Sequence, residues 1–218
     1  TAQHEVSVER FIEILTALKP KFINHPTSKE LLQNLLRDMG CDPQKTYLDV
    51  PRMRTSTSDK FLTSGIAYAF HPHRDTWYSA PMCQINWWIP IFPVQPDNAM
   101  AFHCRYWDTP IANESGEFNY AEYVQTARKN AAQYVKEDTR KQPHPIGNVE
   151  LDPQIRVITK EGGMLLFSAA HLHSSVPNTS GRTRFSIDFR TVHLDDVAAK
   201  VGAPNVDTDC TGTALRDF

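Results

Sequence analysis

Hydrophobic positions in the first sixty residues recur at helical spacing. One helix is predicted over residues 7–19, with an apolar stripe formed by Val8, Phe11, Ile12, Leu15 and Leu18. A second is predicted over residues 27–39, with a buried face formed by Leu31, Leu32, Leu35, Leu36 and Met39. Thr27 and Glu30 match a capping box at its start, and Gly40 is a typical end. Residues 1–60 are therefore expected to form a helical support for a core built from later residues.

From about residue 61 the pattern changes to aromatic and β-branched runs between prolines and glycines, which is typical of strands. The predicted strands are FLTSGIAYAF (61–70), QINWWIPIF (84–92), AMAFHCRYW (99–107), IRVITKE (155–161), MLLFSAAHLHSSV (164–176) and TRFSIDFRTVH (183–193). A polar insertion, 108–150, separates them and contains a predicted helix near 120–137. This order favours a mainly β fold with flanking helices, either an antiparallel barrel or a double-sheet jelly roll over 61–192. An irregular tail, 193–218, is expected to lie on the surface.

Composition narrows the class of protein without identifying a function. The 218 residues are 40% hydrophobic and 22% charged, which suits a single globular domain. A net charge of -2 gives no electrostatic reason to expect nucleic acid or an acidic membrane as partner. The four cysteines include no CxxC pair, which argues against a zinc ribbon or disulfide framework and favours a reducing, cytoplasmic location. No apolar run approaches the length of a membrane span, so no membrane partner is expected.

The candidate chemistry begins with His73 and Asp75, which are separated by one residue. If a strand continues through this segment, alternate residues place the imidazole and the carboxylate on the same face. His171 and His173 follow about a hundred residues later. Two histidines and one carboxylate on one side of a metal leave three positions open, as in the facial triad of non-haem Fe(II) oxygenases. A His-x-Asp pair alone is a weak signal, so the residues downstream decide its weight.

A possible anchor for a carboxylate follows the second histidine cluster. Arg184 lies eleven residues beyond His173, and a tight connection would return it towards the same cavity. A guanidinium donates two parallel hydrogen bonds to a carboxylate, as the distal carboxylate of 2-oxoglutarate requires. Ser186 shares the strand face of Arg184 and supplies a further donor. The sequence therefore offers three metal ligands and a dicarboxylate anchor in a workable order.

These motifs resemble the phytanoyl-CoA dioxygenase family of Fe(II)/2-oxoglutarate oxygenases. The first ligand pair matches HPHRDTW, and the second histidine of the family matches GGMLLFSAAHLHSSVPN through Phe167, His173, Pro177 and Asn178. The family's Arg-x-Ser pattern falls on Arg184 and Ser186. The resemblance covers roughly residues 61–192. It implies a double-stranded β-helix (cupin-like) fold, Fe(II) held by His73, Asp75 and His173, and O₂-dependent decarboxylation of 2-oxoglutarate to succinate.

The resemblance implies hydroxylation of a C–H bond in a polar metabolite or natural-product intermediate. Desaturation, ring formation and demethylation need the same cofactors and stay open. Halogenation is disfavoured, because Asp75 would occupy the position at which chloride binds in related halogenases. Two other classes are a jelly-roll binding protein without turnover, and a different metal enzyme such as a cupin isomerase or a zinc hydrolase. Either would lack a reason to keep Arg184 beside all three ligands.

Several residues near the motifs have two possible roles. Gln84, Asn86 and Trp88 share one face of a predicted strand. The two amides are predicted to bind 2-oxoglutarate or substrate, with backbone contacts at a barrel rim as the alternative, and Trp88 is a candidate substrate contact. His171 is the rival of His173 as third ligand, and its alternative role is lining the cavity. His71 is either structural or a substrate contact.

The remaining substrate candidates are aromatic or basic. Trp77 and Tyr78 follow the ligand pair directly, and they form either an aromatic wall over the metal or part of the core. Arg105 and Arg190 lie on predicted strands, where they either face solvent or bind an anionic group of the substrate. The insertion 108–150 is expected to form part of the substrate entrance.

Overall fold

The computed structural model describes residues 2–63, 71–126 and 140–218, and consists mainly of antiparallel sheets with a few helices. The α-helices are α1 (Val8–Ile23), α2 (Pro26–Asp38), α3 (Tyr120–Thr126) and α4 (Leu194–Ala199). The strands are β1 (Thr46–Leu48), β2 (Arg52–Ser56), β3 (Ile85–Pro90), β4 (Met100–Phe102), β5 (Ile155–Val157), β6 (Leu165–Ser168), β7 (His173–Ser175) and β8 (Arg184–His193). No helix in these ranges is long and apolar enough to cross a bilayer.

The strands form two sheets. In the larger one, β1 and β2 both pair with β8, β8 pairs with β3, and β3 pairs with β6. In the smaller one, β4 lies between β5 and β7. Every pairing is antiparallel. The predicted β-rich class is therefore confirmed at this level.

The two faces of the larger sheet differ in polarity because side chains alternate along each strand. On one face, the register places Arg190 of β8 opposite Asn86 of β3, and Asp188 opposite Trp88. On the other face, Trp87 stacks on Phe189 with ring centroids 5.3 Å apart, and both pack against α2. The apolar face thus fixes the sheet to the helices, while the polar face is available for chemistry.

The N-terminal helices match the prediction in type but not at every position. In α1, Phe11 and Leu15 are buried and pack against Met53 of β2, whereas Leu18 is exposed. The predicted capping box of α2 is wrong. The helix begins at Pro26, and the ring of His25 accepts the backbone N–H of Thr27.

The apolar face predicted for α2 is also too wide. Leu32 and Leu36 are buried, but Leu31 and Met39 are exposed. Only a narrow stripe meets the sheet, because α2 lies against it on one side. Gly40 does end the helix, with a positive φ of 81° that favours glycine.

The predicted strands at 84–92 and 183–193 correspond to β3 and β8, and those at 99–107, 155–161 and 164–176 are shorter than expected. Residues 61–63, at the start of the strand predicted at 61–70, are not in a strand. The strand predicted at 99–107 is β4 for three residues, and a 3-10 helix, Cys104–Tyr106, follows. The run 164–176 is broken into β6 and β7 by a turn. Two strands, β1 and β2, lie in the region predicted to be helical. The predictions for 64–70 and for 127–137 lie outside the described residues.

The tail is not simply draped over the surface, as the sequence suggested. Ala214 is fully buried, and only 4% of the Asp207 side chain is exposed. Hydrogen bonds from Arg74, Trp77 and the backbone of Ile111 hold that carboxylate in the interior. The irregular composition of the tail concealed this role, because isolated polar residues show no periodicity.

Candidate metal centre and its cavity

His73, Asp75 and His173 meet at one point between the two sheets. One ligand atom from each residue lies within 4.8 Å of the other two. The Nε2 atom of His73 is 3.3 Å from Oδ1 of Asp75. Both histidines are buried and the aspartate is partly buried. Among the described residues this is the one cluster of three or more histidine, cysteine or acidic side chains with metal-binding geometry.

Backbone pairing brings the two distant histidines together. The N–H of His73 donates to the carbonyl of His173 at 3.0 Å, and the N–H of His173 donates to the carbonyl of His73 at 3.0 Å. This reciprocal pair is an isolated antiparallel bridge, and the ring centroids lie 4.4 Å apart. His173 is also opposite Phe102 in the β4–β7 ladder. The separation of the two rings is therefore set by main-chain hydrogen bonds.

Both imidazoles are held in the same orientation by similar contacts. Nδ1 of His73 lies 2.8 Å from the carbonyl oxygen of His71, and Nδ1 of His173 lies 3.0 Å from that of His171. A carbonyl oxygen only accepts hydrogen bonds, so each Nδ1 must carry the proton. The lone pair of each neutral ring is then on Nε2, the atom that faces the cluster. This is the usual way in which a protein prepares histidine as a metal ligand.

Asp75 reaches the cluster differently from the prediction. The strand does not continue through the segment, because Asp75 begins a 3-10 helix, Asp75–Tyr78. Its Oδ2 accepts a hydrogen bond from Nδ2 of Asn86 at 2.7 Å, and Nε2 of Gln84 donates to Oδ1 of Asn86 at 2.9 Å and approaches the same carboxylate oxygen at 3.4 Å. With Oδ2 occupied in this way, Oδ1 is the oxygen that points towards His73. The two amides predicted to bind 2-oxoglutarate therefore hold a ligand of the triad.

The protonation states suit a metal site. Burial by itself would raise the pKa of Asp75, but its contact with His73 and the electrostatic influence of His173, His73 and Arg190 outweigh burial and hold that pKa below its ordinary value. Burial, followed by the repulsion of His73, lowers the pKa of His173 to about 4. At neutral pH the cluster therefore combines an ionised carboxylate with a neutral His173 imidazole, the forms that bind metals.

Arg184 lies in the same cavity, on β8. Its Nη1 donates to the carbonyl oxygens of Asn98 at 2.7 Å and Ala99 at 3.3 Å, and its Nη2 reaches Oγ of Ser175 at 3.4 Å. The guanidinium also stacks over Trp88, 5.5 Å from the ring centroid. Burial lowers the pKa of Arg184 to about 10, so it is a cation at neutral pH.

Two buried polar atoms beside this arginine have no hydrogen-bond partner within the described structure. They are Nε of Arg184 and Oγ of Ser186, which is fully buried on the same strand face. An unsatisfied buried donor costs about 1–3 kcal/mol, so two of them on one strand face require a partner such as a ligand or an ordered water. None of the contacts of Arg184 is a carboxylate. The side chain is thus a cation positioned to receive an anion.

One cavity of about 500 Å³ connects these groups. The triad, Arg184 and Trp88 line it, together with Asn86, Arg190, Tyr78, Ser175, Met100, Phe167, Tyr120, Tyr123, Arg140, Thr16, Lys19, Pro20, Ile23, Val50, Arg52, Arg54, Met53, Thr55, Trp87, Asp188 and Phe189. The volume is typical of a site for small molecules.

Of the predicted substrate residues, Tyr78, Trp88 and Arg190 line the cavity. Tyr78 presents its ring to His73, with centroids 5.5 Å apart. Arg190 is not a free cation, because Asp49 accepts from its Nε and lies 2.6 Å from its Nη2. Burial opposes its charge, but that carboxylate raises the pKa of Arg190. Arg190 is therefore a fixed part of the wall.

The other substrate candidates lie outside the cavity lining. Trp77 is fully buried, and its indole N–H donates to Asp207 at 2.7 Å, so it belongs to the core. His71 stacks on His144 and contacts a backbone carbonyl at 2.9 Å. Arg105 is exposed on a 3-10 helix, so the strand placement predicted for it is wrong.

His171 does not compete with His173 for the site. The turn between β6 and β7 breaks the strand parity that placed both rings on one face. The ring of His171 packs on Trp107, with centroids 4.1 Å apart. Its backbone carbonyl, not its imidazole, serves the metal centre. Sequence alternation misled here because it assumed an unbroken strand.

Arg74 and Asp207 are residues that sequence reasoning missed. Arg74 lies between the two ligands of the first pair, and its side chain is 1% exposed. It donates to the Asp207 carboxylate at 3.1 Å, to the Ala170 carbonyl at 2.6 Å and to the carbonyl of Tyr106. Arg74 thus joins the first ligand pair, the turn before His173 and the tail. No sequence signal pointed to it, since the middle position of a His-x-Asp pair ordinarily has no assigned role.

Comparison with known proteins gives resemblance without a family assignment. No family model and no curated protein match the chain. Among solved structures, EvdO2 from Micromonospora carbonacea var. aurantiaca is 10% identical with a TM-score of 0.47, and the match covers 80% of this chain and 62% of that one. The non-heme monooxygenase ThoJ is 10% identical with a TM-score of 0.48, covering 76% of this chain and 55% of that one.

A third structure is the non-heme alpha ketoglutarate dependent carbocyclase SnoK from nogalamycin biosynthesis. It is 13% identical with a TM-score of 0.46, and the match covers 88% of this chain and 70% of that one. The chain spans less than two thirds of the length of EvdO2 and ThoJ. Similarity at this level assigns no family and no activity, so the chemistry has to be derived from the residues of the site.

Proposed function

We propose that this chain is an Fe(II)/2-oxoglutarate-dependent dioxygenase that hydroxylates a C–H bond of a polar small molecule. One observation carries the proposal. A His-Asp-His cluster shares a cavity with a buried arginine whose Nε has no partner in the described structure. The further expectations are a jelly-roll core, a single domain and kinship with the phytanoyl-CoA dioxygenases.

The donor set fits Fe(II). Two Nε2 lone pairs and one carboxylate oxygen converge from one side, which leaves the opposite side of a bound ion to face the cavity. Asn86 occupies the second oxygen of Asp75, which favours coordination through a single oxygen. A three-ligand site of this kind would also bind Zn²⁺ in a hydrolase. The neighbouring buried arginine is what favours the oxygenase.

The surroundings of Arg184 fit one carboxylate of 2-oxoglutarate. On β7, Ser175 follows His173 by two residues and shares its face, so an anion at Arg184 lies about 7 Å along the strand from the ligand. That span suits a five-carbon dicarboxylate that reaches from arginine to metal. We assign Nε of Arg184 and Oγ of Ser186 as donors to its distal carboxylate. Trp88 and Phe167 would shield the chain between its ends.

The protein residues would hold the metal ion and exclude water from its surroundings. Bound Fe(II), with 2-oxoglutarate and O₂, would supply the oxidising chemistry that yields a hydroxylated product, succinate and CO₂. His73, Asp75 and His173 would hold the ion, and the aromatic walls would limit water around it. Desaturation, ring formation and demethylation place the same demands on these residues. Substrate placement would decide between the reactions.

The test combines a visible absorption spectrum with detection of succinate. Protein mixed anaerobically with Fe(II) and 2-oxoglutarate should develop a weak visible charge-transfer band, and it should release succinate once O₂ is added. Asp75→Ala should lose both signals, because it removes the one acidic ligand. Asp108→Ala, an exposed aspartate outside the cavity lining, is the matched control and should keep them. A full band in Asp75→Ala, or no band in the unaltered protein, would refute the proposal.

A further inference from the structure

The cavity has a wall that the proposed iron and 2-oxoglutarate sites do not use. We name it the α1 wall and define it by Thr16, Lys19, Pro20 and Ile23 of α1 with Arg54 of β2. The α1 members recur at helical spacing, on a stripe beside the apolar one that packs into the core. One helix therefore serves two purposes, packing along one stripe and facing the cavity along the next.

Arg54 is part of an ion pair on the cavity floor. Its Nε donates to Oδ1 of Asp188 at 2.7 Å, and its Nη2 donates to Oδ2 at 3.2 Å. The pair is bidentate, so the planes of the guanidinium and the carboxylate are matched. Asp188 lies on β8 between Ser186 and Arg190, on the polar face of the sheet. Arg54 is thereby fixed in orientation within the cavity lining.

Positive charge exceeds negative charge around this cavity in the described residues. Six basic side chains line it, namely Lys19, Arg52, Arg54, Arg140, Arg184 and Arg190, against the two acidic side chains of Asp75 and Asp188. Asp49 and Asp217 are not lining residues, but they add two more carboxylates, which pair with Arg52 and Arg190. A divalent cation and a dianionic co-substrate would cancel one another. Among the described residues the lining therefore keeps a positive balance after both have bound.

Lys19 is the lining residue whose charge depends most on these surroundings. Burial and then the nearby Arg54 lower the pKa of its ammonium to about 7, while Asp188 acts in the opposite direction. A lysine under such pressure is stabilised in its charged form by an incoming anion. Thr16, one turn earlier on the same stripe of α1, adds a hydroxyl that can donate to the same group.

We propose that the substrate carries an oxyanion, such as a carboxylate, which binds at the α1 wall between Lys19 and Arg54 while the C–H bond to be oxidised faces the metal. The inference rests on the proposed oxygenase function and names the class of its substrate. Arg184 serves the co-substrate and Lys19 serves the substrate, so two anions bind at two separate cations. A cavity of about 500 Å³ confines the substrate to a small organic acid once 2-oxoglutarate is in place.

The experiment uses hexanoate and hexanamide, two probes of the same shape that differ in charge. Each is titrated into the anaerobic Fe(II) protein with saturating 2-oxoglutarate, and binding is followed by perturbation of the charge-transfer band. Hexanoate should bind at least about tenfold more tightly, which corresponds to about 1.4 kcal/mol. Lys19→Met should abolish the preference and keep the band, whereas Lys19→Arg should retain the preference. Lys21→Met, an exposed lysine of the same helix outside the lining, is the control.

The outcomes separate the two proposals. A band in the unaltered protein with equal binding of the probes, or with no binding of either, overturns the substrate inference and leaves the oxygenase intact. A preference that survives Lys19→Met overturns it as well, as does loss of the band through displacement of 2-oxoglutarate by hexanoate. Absence of the band before any probe is added would instead refute the proposed function.

Discussion

His173 lies within a backbone ladder, whereas Asp75 lies outside every described strand. The main chain of His173 is paired both with β4 and with His73. The carboxylate of Asp75 is positioned by the amide side chains of Asn86 in β3 and of Gln84, which directly precedes that strand. The two ligands come within a few ångströms of each other by different means. One depends on main-chain hydrogen bonds that any residue supplies, and the other depends on particular side chains.

The metal centre should be more sensitive to substitutions around Asp75 than to substitutions around His173. A side-chain substitution leaves a backbone ladder largely intact, so the position of His173 should tolerate changes around it. The position of Asp75 should not, because its support is made of side-chain amides and, further along, of the Arg74–Asp207 ion pair at 3.1 Å. Substitutions of residues that contact the metal ligands are therefore expected to weaken metal binding mainly by displacing the carboxylate of Asp75.

The largest effect should come from replacing a ligand itself. His173→Ala should reduce Fe(II) or Co(II) affinity by more than the roughly 10–100-fold typical of outer-layer changes. His171→Ala is the matched control, since only its backbone carbonyl serves the centre, and its effect should stay within about 0.5 kcal/mol. Metal titration of both variants measures this. Equal losses in the two variants would mean that the third ligand has been wrongly chosen.

The next largest effect concerns the co-substrate and should leave the metal site unchanged. Arg184→Leu removes the buried cation, and truncating one partner of a buried charge pair costs about 2–5 kcal/mol. The KM for 2-oxoglutarate should rise by roughly 30-fold or more, with Co(II) affinity unaltered. Arg182→Leu, an exposed arginine two residues earlier, should change neither quantity. If the KM of Arg184→Leu matched that of the unaltered protein, the carboxylate would have to bind elsewhere.

A smaller effect tests whether Asp75 and His173 are held in place by different means. Asn86→Leu should weaken metal binding by about 10–100-fold, because Asp75 loses its 2.7 Å donor. Ser174→Ala lies beside the other ligand, and should leave metal affinity nearly unchanged because β7 keeps its backbone pairing. Isothermal titration with Co(II) compares them. Similar losses from both substitutions would show that the two ligands are not held differently.

The residues whose roles depend on strand order were predictable from the sequence. His73, Asp75, His173 and Arg184 were singled out by their order and spacing, and they do share one cavity. Alternation along β3 grouped Trp88 with Asn86 on one face without deciding that this face is the inward one, and both residues line the cavity. Long, strongly patterned strands such as β8 carry enough repeats for period and face to be unambiguous.

The rest depends on tertiary contacts that have no local signature. Gln84 and Asn86 were predicted to bind 2-oxoglutarate or substrate, and their contact with Asp75 was not foreseen, because alternation gives the direction of a side chain and not the identity of its partner. The convergence of His73 with Asp75 was expected from a continued strand, and it arises instead from a 3-10 turn. Asp207 was invisible because its partners lie about 95–130 residues earlier in the chain.

The smallest expected effect is a pH dependence in the segment held by the backbone. His103 is buried; its Nδ1 donates to the Leu151 carbonyl at 3.1 Å, and its Nε2 accepts from the hydroxyl of Ser174 at 3.0 Å, next to His173. Burial lowers the pKa of His103 below 6.5, so its neutral form stabilises the fold above that pH and the contribution is lost as the pH falls. Below pH 6.5 the unfolded chain takes up a proton that the buried ring resists, which lowers the free energy of unfolding by up to about 1.4 kcal/mol for each pH unit. Between pH 7.5 and 5.5 the free energy of unfolding should therefore fall by about that much more in the unaltered protein than in His103→Gln, which does not titrate. Urea unfolding at the two pH values measures the difference. Parallel pH profiles of the unaltered protein and His103→Gln would contradict a buried, neutral His103.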